Sequence, residues 1–116
     1  MNRASPQRCN DYLQHIVEAI DTIQAYTAGM DAHAFIADRK TCDAVIRNIE
    51  IVGEACNNIT NLHAAFAAAH PSIPWGFAYE MRNALSHGYF NVDNAIVWQT
   101  VQHDLPILRV QIASLL

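Results

Sequence analysis

The sequence has few charged residues and no long apolar run, and each shortage excludes a class of protein. Only 16% of the 116 residues are charged, whereas 52% are apolar. This balance excludes a disordered chain, because ample apolar surface is present to offset the entropy lost on ordering. No uninterrupted apolar stretch approaches the roughly 20 residues needed to cross a bilayer. We therefore expect one globular domain, residues 1–116, with a core of its own and no membrane association.

Cysteine and histidine are too scattered to predict a disulfide framework or a metal site. The three cysteines, Cys9, Cys42 and Cys56, are odd in number and show no Cys-x-x-Cys spacing. The six histidines include no pair four residues apart and no His-Glu-x-x-His pattern, so we expect neither a metal nor another cofactor. The first residues lack the apolar stretch of a signal peptide, which predicts a cytoplasmic protein with buried, reduced cysteines.

Basic residues are also scarce, and the net charge is −4, with seven basic residues against eleven acidic ones. Nonspecific binding to nucleic acid depends on neutralising phosphates, so this balance argues against a general RNA-coating protein. It leaves room for a local basic site. Four of the seven basic residues lie in the middle of the chain, at Arg39, Lys40, Arg47 and Arg82.

Helical periodicity dominates the first half of the chain. In the first predicted helix, about residues 6–28, apolar side chains recur every three or four residues, as one face of an amphipathic helix requires. Gly29 ends this helix, and Asp31 is the expected N-cap of a short helix that follows. The second long helix, about residues 38–59, has an uninterrupted apolar seam at Cys42, Val45, Ile49, Val52, Cys56 and Ile59.

The second half of the chain is predicted to be helical as well. Residues 60–61 predict a break before an alanine-rich helix that ends at Pro71. A further helix is expected to start at residues 72–74, and the last one near Asp93, with a kink or restart at Pro106. No segment alternates like a strand. The pattern therefore predicts an all-α fold, an antiparallel bundle of four to five helices.

The segment MRNALSHGYF, residues 81–90, contains several polar side chains of different chemistry within ten residues. The guanidinium of Arg82 has fixed donors that match phosphate oxygens, and it stays charged at any biological pH. The imidazole of His87 can take and give a proton near neutrality. Together they suit RNA cleavage without a metal, in which His87 acts as general base and acid and Arg82 stabilises the phosphorane. Such a reaction yields 2′,3′-cyclic phosphate products.

On a continuous helix these two side chains would not share a face, because roughly 140° would separate Arg82 from His87. Arg82 aligns instead with Ser86 and Tyr89, and Asn83 aligns with His87. Two arrangements reconcile this with a single site. Either the helix ends near His87 and the chain turns this residue back, or two copies of the segment meet across a dimer interface.

The octet RNALSHGY, residues 82–89, resembles the Arg-x4-His-x-Tyr signature of HEPN domains, and specifically of the HepT-like toxin family. The likeness extends to DRKTCDAVIRNIEIVGEA (residues 38–55), to the Pro-x-Ile-Pro-Trp entry at residues 71–75 and to VWQTVQHDLP (residues 97–106). Nearly the whole chain is covered. The combination is far more specific than any one of these pieces.

The resemblance implies a helical homodimer whose two Arg-x4-His segments face each other. It implies an endoribonuclease toxin in which Arg82 and His87 are catalytic and Asn83 supports them. Ser86, which aligns with Arg82, is a second candidate for a supporting role. The resemblance also implies a cognate antitoxin, a minimal nucleotidyltransferase. In related pairs that enzyme adenylylates the motif tyrosine, which here is Tyr89.

Other functions remain open from the residues alone. The chain could be a non-catalytic module that presents nucleotides or substrate to a partner nucleotidyltransferase, or a helical interaction protein with no chemistry. The retained Arg82 and His87 favour the enzyme, because a scaffold needs neither. The net negative charge favours the binding module, since a partner could supply the positive surface.

Two features of the second long helix have structural and functional interpretations. Arg39, Lys40 and Arg47 are candidate contacts for RNA or for the antitoxin, although a solvated charged stripe is the preferred interpretation. Gly53 predicts close packing at the bundle or the dimer interface, because glycine inside a helix is otherwise unfavourable. The adjacent Glu54 is interpreted as a structural partner for a buried donor.

Overall fold

The computed structural model describes residues 5–77, 79–81 and 93–116. These residues contain no strand, and the prediction of an all-α bundle is confirmed. The helices in chain order are α1 Pro6–Thr27, α2 Ala32–Ala37, α3 Arg39–Leu62, α4 Ala64–Ala69, a helical stretch at residues 75–77 and 79–81, α5 Asn94–Gln99, a π turn Thr100–Asp104 and α6 Leu105–Ala113.

The core lies where α1, α3 and α6 meet, and α1 packs along α3 over the largest contact in the described structure. It is built from the apolar stripes that the periodicity predicts: Leu13, Ile16, Ile20 and Ile23 of α1, Val45, Ile49, Val52, Cys56 and Ile59 of α3, and Leu108 and Ile112 of α6. Phe35 of α2 is fully buried against the same cluster. Burial of these side chains is the main force that holds the helices together.

Short polar side chains cap the N-termini of four of the described helices, where they accept backbone N–H groups that have no partner within the helix. The hydroxyl of Ser5 accepts the N–H of Arg8 at 3.2 Å, and the carboxylate of Asp31 accepts the N–H of Ala34 at 2.8 Å. Gly29 adopts a left-handed φ of 78° after α1, a conformation that glycine reaches without strain. The predicted end of the first helix and the predicted Asp31 cap are therefore confirmed.

The predicted helix break at residues 60–61 is wrong, because α3 continues to Leu62. The polar side chains there bond to the helix itself. The hydroxyl of Thr60 donates to the Asn57 carbonyl at 2.9 Å, and the Asn61 amide donates to the Asn57 side chain at 3.3 Å. Both groups are satisfied without a turn, so the helix ends only at His63, whose N–H donates to the Ile59 carbonyl.

The predicted interruption near Pro106 takes the form of the π turn Thr100–Asp104. Here the N–H of Leu105 donates to the carbonyl of Thr100, five residues earlier. Proline has no N–H, and its ring collides with the carbonyl four residues before it in a regular α-helix. The wider turn relieves this conflict and lets α6 follow α5 directly.

The three cysteines are buried and free, as predicted. Burial raises the pKa of the Cys56 thiol to about 12. The Cys42 thiol donates to the Phe35 carbonyl at 3.1 Å, which ties α3 to α2. Within the described ranges, no helix has both the length and the apolar character needed to cross a membrane.

Candidate functional site

The predicted catalytic and supporting residues, Arg82, Asn83, Ser86, His87 and Tyr89, lie outside the described residues. The residues on either side of that segment are described. Met81 is half-buried and packs against the core. Asp93 begins α5, and its carboxylate accepts the N–H of Ala95 at 2.9 Å. Both flanks of the motif segment are therefore held by the bundle.

The helical residues before the motif are positioned by the entry at residues 71–75. Trp75 is buried, and its indole N–H donates to the Ala67 carbonyl of α4 at 3.3 Å. The side-chain amide of Gln111 in α6 donates to the Ser72 carbonyl at 3.1 Å. These two bonds connect the entry to helices on both sides, which determines where Met81 lies.

Met81 lines a cavity of about 300 Å³, which we call the apolar groove. Its other lining residues are Ile49, Val52, Pro74, Phe77, Thr100, Asp104, Leu105, Ile107, Leu108 and Gln111. Phe77 is 43% exposed and Ile107 is 63% exposed, so two large apolar side chains of one cavity lining face solvent. The groove can therefore accept apolar side chains of a partner next to the motif segment.

A second cavity, of about 310 Å³, lies between α1 and α3, and we call it the polar cleft. It is lined by Tyr12, His15, Arg47, Glu50, Ile51, Glu54, Ala55 and Asn58. Arg47 Nη1 lies 3.6 Å from Glu50 Oε2, in an ion pair whose arginine side chain is 71% exposed. This cleft was not predicted from the sequence, although Glu50, Glu54 and Asn58 form a polar stripe at successive spacings of four.

The ring of Tyr12 forms the buried wall of the polar cleft. The guanidinium carbon of Arg8 lies 5.6 Å from the ring centroid, within the range of a cation–π contact. His15 approaches the ring edge-on, with centroids 6.4 Å apart. The wall is therefore aromatic and carries a cation on one side, and an exposed imidazole stands at the rim.

The three candidate basic contacts are spread along α3. Arg39 and Lys40 are exposed in the first turn of α3, whereas Arg47 lies about 12 Å farther along the axis, at 1.5 Å per residue, and lines the polar cleft. Cations at a helix N-terminus oppose the helix dipole, so the first turn gains no stability from these two charges. Contact of the three residues with RNA or an antitoxin stays a prediction.

Gly53 is buried within the chain itself. Its close packing therefore belongs to the bundle, and the alternative placement at a dimer interface is not needed. Glu54, the next residue, is exposed and lines the polar cleft. In the part of the chain that the structure describes, no group of three His, Cys, Asp or Glu side chains is arranged to hold a metal ion.

Comparison with known proteins identifies the family. The model of the ribonuclease HepT-like family matches residues 16–115. The chain is 46% identical over 99 residues to a protein of Thermococcus cleftensis named probable ribonuclease HepT, and the match covers 85% of this chain and 87% of that protein. It is 32% identical over 105 residues to a candidate RNase of Caldanaerobacter subterraneus subsp. tengcongensis, covering 90% and 91% of the two chains.

A longer relative comes from Methanocaldococcus jannaschii and is named as a gamma-glutamylcyclotransferase and candidate RNase. It is 40% identical over 105 residues, which are 90% of this chain but 46% of that protein. No solved structure matches the chain at a significant level. The family match extends from the middle of α1 to residue 115, just beyond α6, and includes the Arg-x4-His-x-Tyr octet. This chain belongs to the HepT-like ribonuclease family.

Proposed function

We propose that this protein is a metal-independent endoribonuclease and the toxin of a toxin–antitoxin pair, with Arg82 and His87 as its catalytic residues. The observation that carries the proposal is the position of this Arg-x4-His pair inside the stretch matched by the ribonuclease family model. Arginine and histidine supply the two functions that the reaction needs, charge stabilisation and proton transfer.

In the proposed reaction, neutral His87 removes the proton of a ribose 2′-hydroxyl, and the 2′-oxygen attacks the adjacent phosphorus. The guanidinium of Arg82 stabilises the charge that develops on the phosphorane oxygens. The bond from phosphorus to the 5′-oxygen then breaks, and that oxygen receives the proton from the His87 imidazolium. The products are a 2′,3′-cyclic phosphate and a 5′-hydroxyl. Asn83 and Ser86 are proposed to support the pair.

We propose that the active form is a homodimer that meets through the apolar groove. Phe77 and Ile107 expose apolar surface on the groove, and Met81, which lines it, is followed directly by the motif segment. A two-fold interface there would place the same groove on both subunits and bring their two motif segments close together. This supports the arrangement in which Arg82 and His87 act across the dimer.

The catalytic assignment is tested with purified Arg82→Ala and His87→Ala variants and RNA of mixed sequence. Each variant should lose at least about a hundredfold in cleavage rate, the usual contribution of a positioned acid–base or charge-stabilising group. His33→Ala, which removes an exposed histidine on α2, is the matched control and should cut normally. Cleavage by the wild type should continue in excess EDTA. Full activity in either catalytic variant would contradict the assignment.

We also propose that a minimal nucleotidyltransferase antitoxin inhibits the protein by adenylylating Tyr89. An AMP group on this tyrosine would place an anion near Arg82 and compete with the substrate phosphate. Co-expression with the cognate antitoxin should add mass in whole AMP units, and the addition should disappear in Tyr89→Phe. Tyr26→Phe is the control, because Tyr26 is 50% exposed and lies on α1. An adduct that persists in Tyr89→Phe would overturn the assignment.

The second candidate is a non-catalytic module that presents nucleotides or substrate to the nucleotidyltransferase, and the net charge of −4 favours it. Inducible expression without any partner gene separates the two. Growth arrest by the wild type, but not by His87→Ala, supports the toxin. Equal growth of both strains supports the binding module.

A further inference from the structure

The polar cleft has the volume and the side-chain chemistry to accept a small, uncharged ligand with several hydrogen-bond donors. Its volume of about 310 Å³ corresponds to roughly ten water molecules at ~30 Å³ each, which leaves room for a purine base. Ala55 is buried and Ile51 half-buried, so they give it an apolar floor. Its rim carries an imidazole, an amide, a guanidinium and two carboxylates.

The charges of the rim select against phosphate as the main ligand. Among its lining residues, the arginine is Arg47 and the two carboxylates are Glu50 and Glu54, while the Arg8 guanidinium lies behind the Tyr12 wall. An anion would meet two carboxylates and a single guanidinium among the lining side chains. A neutral group with several N–H donors would instead meet carboxylate and amide oxygens that accept hydrogen bonds.

We propose that the polar cleft is a guanine-binding subsite for the RNA substrate, and this inference rests on the proposed ribonuclease function. Guanine has two adjacent donors on its Watson–Crick edge, N1–H and the 2-amino group, which match the two oxygens of one carboxylate. Adenine and cytosine pair their amino group with an acceptor, and uracil has a single N–H between two acceptors. Of the four bases, guanine alone can bond a carboxylate through two N–H groups.

Glu50 is the carboxylate that reads the base. Its contact with Arg47 is long, at 3.6 Å, and the arginine is mostly exposed, so the pair is weak and easily exchanged. Guanine can replace Arg47 at Glu50, and the released guanidinium can then donate to O6 of the base or to a flanking phosphate. His15, exposed at the rim, offers a ring on which the base stacks, as bases of single-stranded RNA do.

The cleft is close to the apolar groove, which is lined by Met81, the residue directly before the motif segment. Arg47 and Glu50 of α3 line the cleft, while Ile49 and Val52 of the same helix line the apolar groove with Met81. The two sites are therefore separated by about one helix diameter, ~10–12 Å with side chains. A strand of a few nucleotides spans this distance, so the guanine lies a few nucleotides from the bond that is cut.

Binding is tested separately from cleavage by fluorescence anisotropy with the full-length protein. The probes are 2′-O-methyl oligouridines that carry guanine, adenine or hypoxanthine at one central position. They cannot be cut, because attack needs a free 2′-hydroxyl. The wild type should bind the guanine probe roughly tenfold more tightly than the adenine probe, the discrimination of one good bidentate contact. Hypoxanthine lacks the 2-amino group and should fall between them.

Glu50→Gln should remove this preference, because its amide replaces one acceptor oxygen with a donor. Asp43→Asn is the matched control: it removes an exposed carboxylate of α3 outside the cleft and should keep the preference. Both variants are first checked for native helical content. Equal binding of the guanine and adenine probes by the wild type overturns the inference, as does a guanine preference that survives in Glu50→Gln.

Cleavage of the all-ribose versions of the same oligonucleotides separates this inference from the proposed function. A guanine preference in binding without any cleavage would leave the subsite standing and remove the ribonuclease proposal. Cleavage without a guanine preference in binding would leave the ribonuclease proposal standing and remove the guanine subsite. An arginine-rich peptide that binds in a Glu50-dependent manner, while no RNA probe does, would assign the cleft to a protein partner and overturn the guanine subsite.

Discussion

Replacing Ile107 with glutamate should dissociate the proposed dimer without unfolding the subunit. Ile107 is 63% exposed in the isolated chain, so a charged side chain there stays in water and leaves the core intact. In a dimer that meets through the apolar groove, the same position is buried against the partner. The substitution therefore penalises association and spares folding.

The size of the effect follows from this exposed fraction. Full burial of an isoleucine side chain stabilises by about 1.5–3 kcal/mol, so the exposed part of Ile107 corresponds to ~1–2 kcal/mol. A two-fold interface contains the residue twice, which doubles the loss to about 2–4 kcal/mol. At 1.4 kcal/mol per factor of ten, the dimer should dissociate roughly 30- to 700-fold more readily. Desolvation of the two new carboxylates adds to this loss.

Sedimentation velocity over a range of concentrations measures the change directly. The wild type should sediment at twice the chain mass of 12.9 kDa, and Ile107→Glu should shift to the chain mass at concentrations where the wild type is dimeric. Ile36→Glu is the matched control, because Ile36 is 46% exposed on α2, outside the groove. Urea unfolding of each variant verifies that the fold is retained.

Two results would refute the reasoning. If Ile107→Glu dimerises as tightly as the wild type, the apolar groove is not the interface. If the variant is monomeric and still cuts RNA at the wild-type rate, one chain builds the whole site, and the helix must turn His87 back towards Arg82. Loss of both dimer and cleavage supports the composite site.

Three further predictions concern single groups. Trp75→Phe removes the indole donor, while the Ala67 carbonyl keeps the backbone N–H of His70, so the free energy of unfolding in urea should fall by about 0.5–1.5 kcal/mol. The Thr41 N–H lowers the pKa of Asp38, the N-cap of α3. The ionised Asp38 carboxylate therefore stabilises the folded protein fully above its unfolded pKa, and this stabilisation is lost as the pH falls through its lower folded pKa. Thermal unfolding of Asp38→Asn should lose this acid dependence. Because burial raises the pKa of Cys56 to about 12, its thiol should resist a disulfide reagent at pH 8 until urea is added.

The fold was predictable because its main elements depend on periodicity and on local caps. The uninterrupted seam of α3 and the Asp31 cap are both visible in the sequence and both present in the structure. The break at residues 60–61 was predicted wrongly, because a polar run does not reveal whether its side chains bond to water or to their own helix. Pro106 predicts an interruption, but the choice of a π turn depends on the core that α5 and α6 must both face.

One part of the candidate site could be predicted from the sequence, and another part could not. The motif pair Arg82 and His87 is contiguous in the sequence, so its chemistry could be predicted, and its geometry stays a prediction. The polar cleft could not be predicted, because it combines His15 of α1 with Arg47 and Glu50 of α3. Which faces of two helices meet depends on their relative rotation about each other. That rotation is set by packing of the whole core and is not encoded in either segment alone.

The π turn before Pro106 is a place where the chain could lose one residue without changing which side chains of α6 face the core. Such a turn is an α-helix with one residue inserted, so removing one residue from Thr100–Asp104 would leave Leu108 and Ile112 facing the core. The same deletion within α1 or α3 would rotate every later side chain by about 100°. In the shortened helix, however, the ring of Pro106 would again meet the carbonyl four residues earlier. The effect of the deletion therefore depends on Pro106. A chain shortened by one residue in the π turn should fold well only if Pro106 is also replaced.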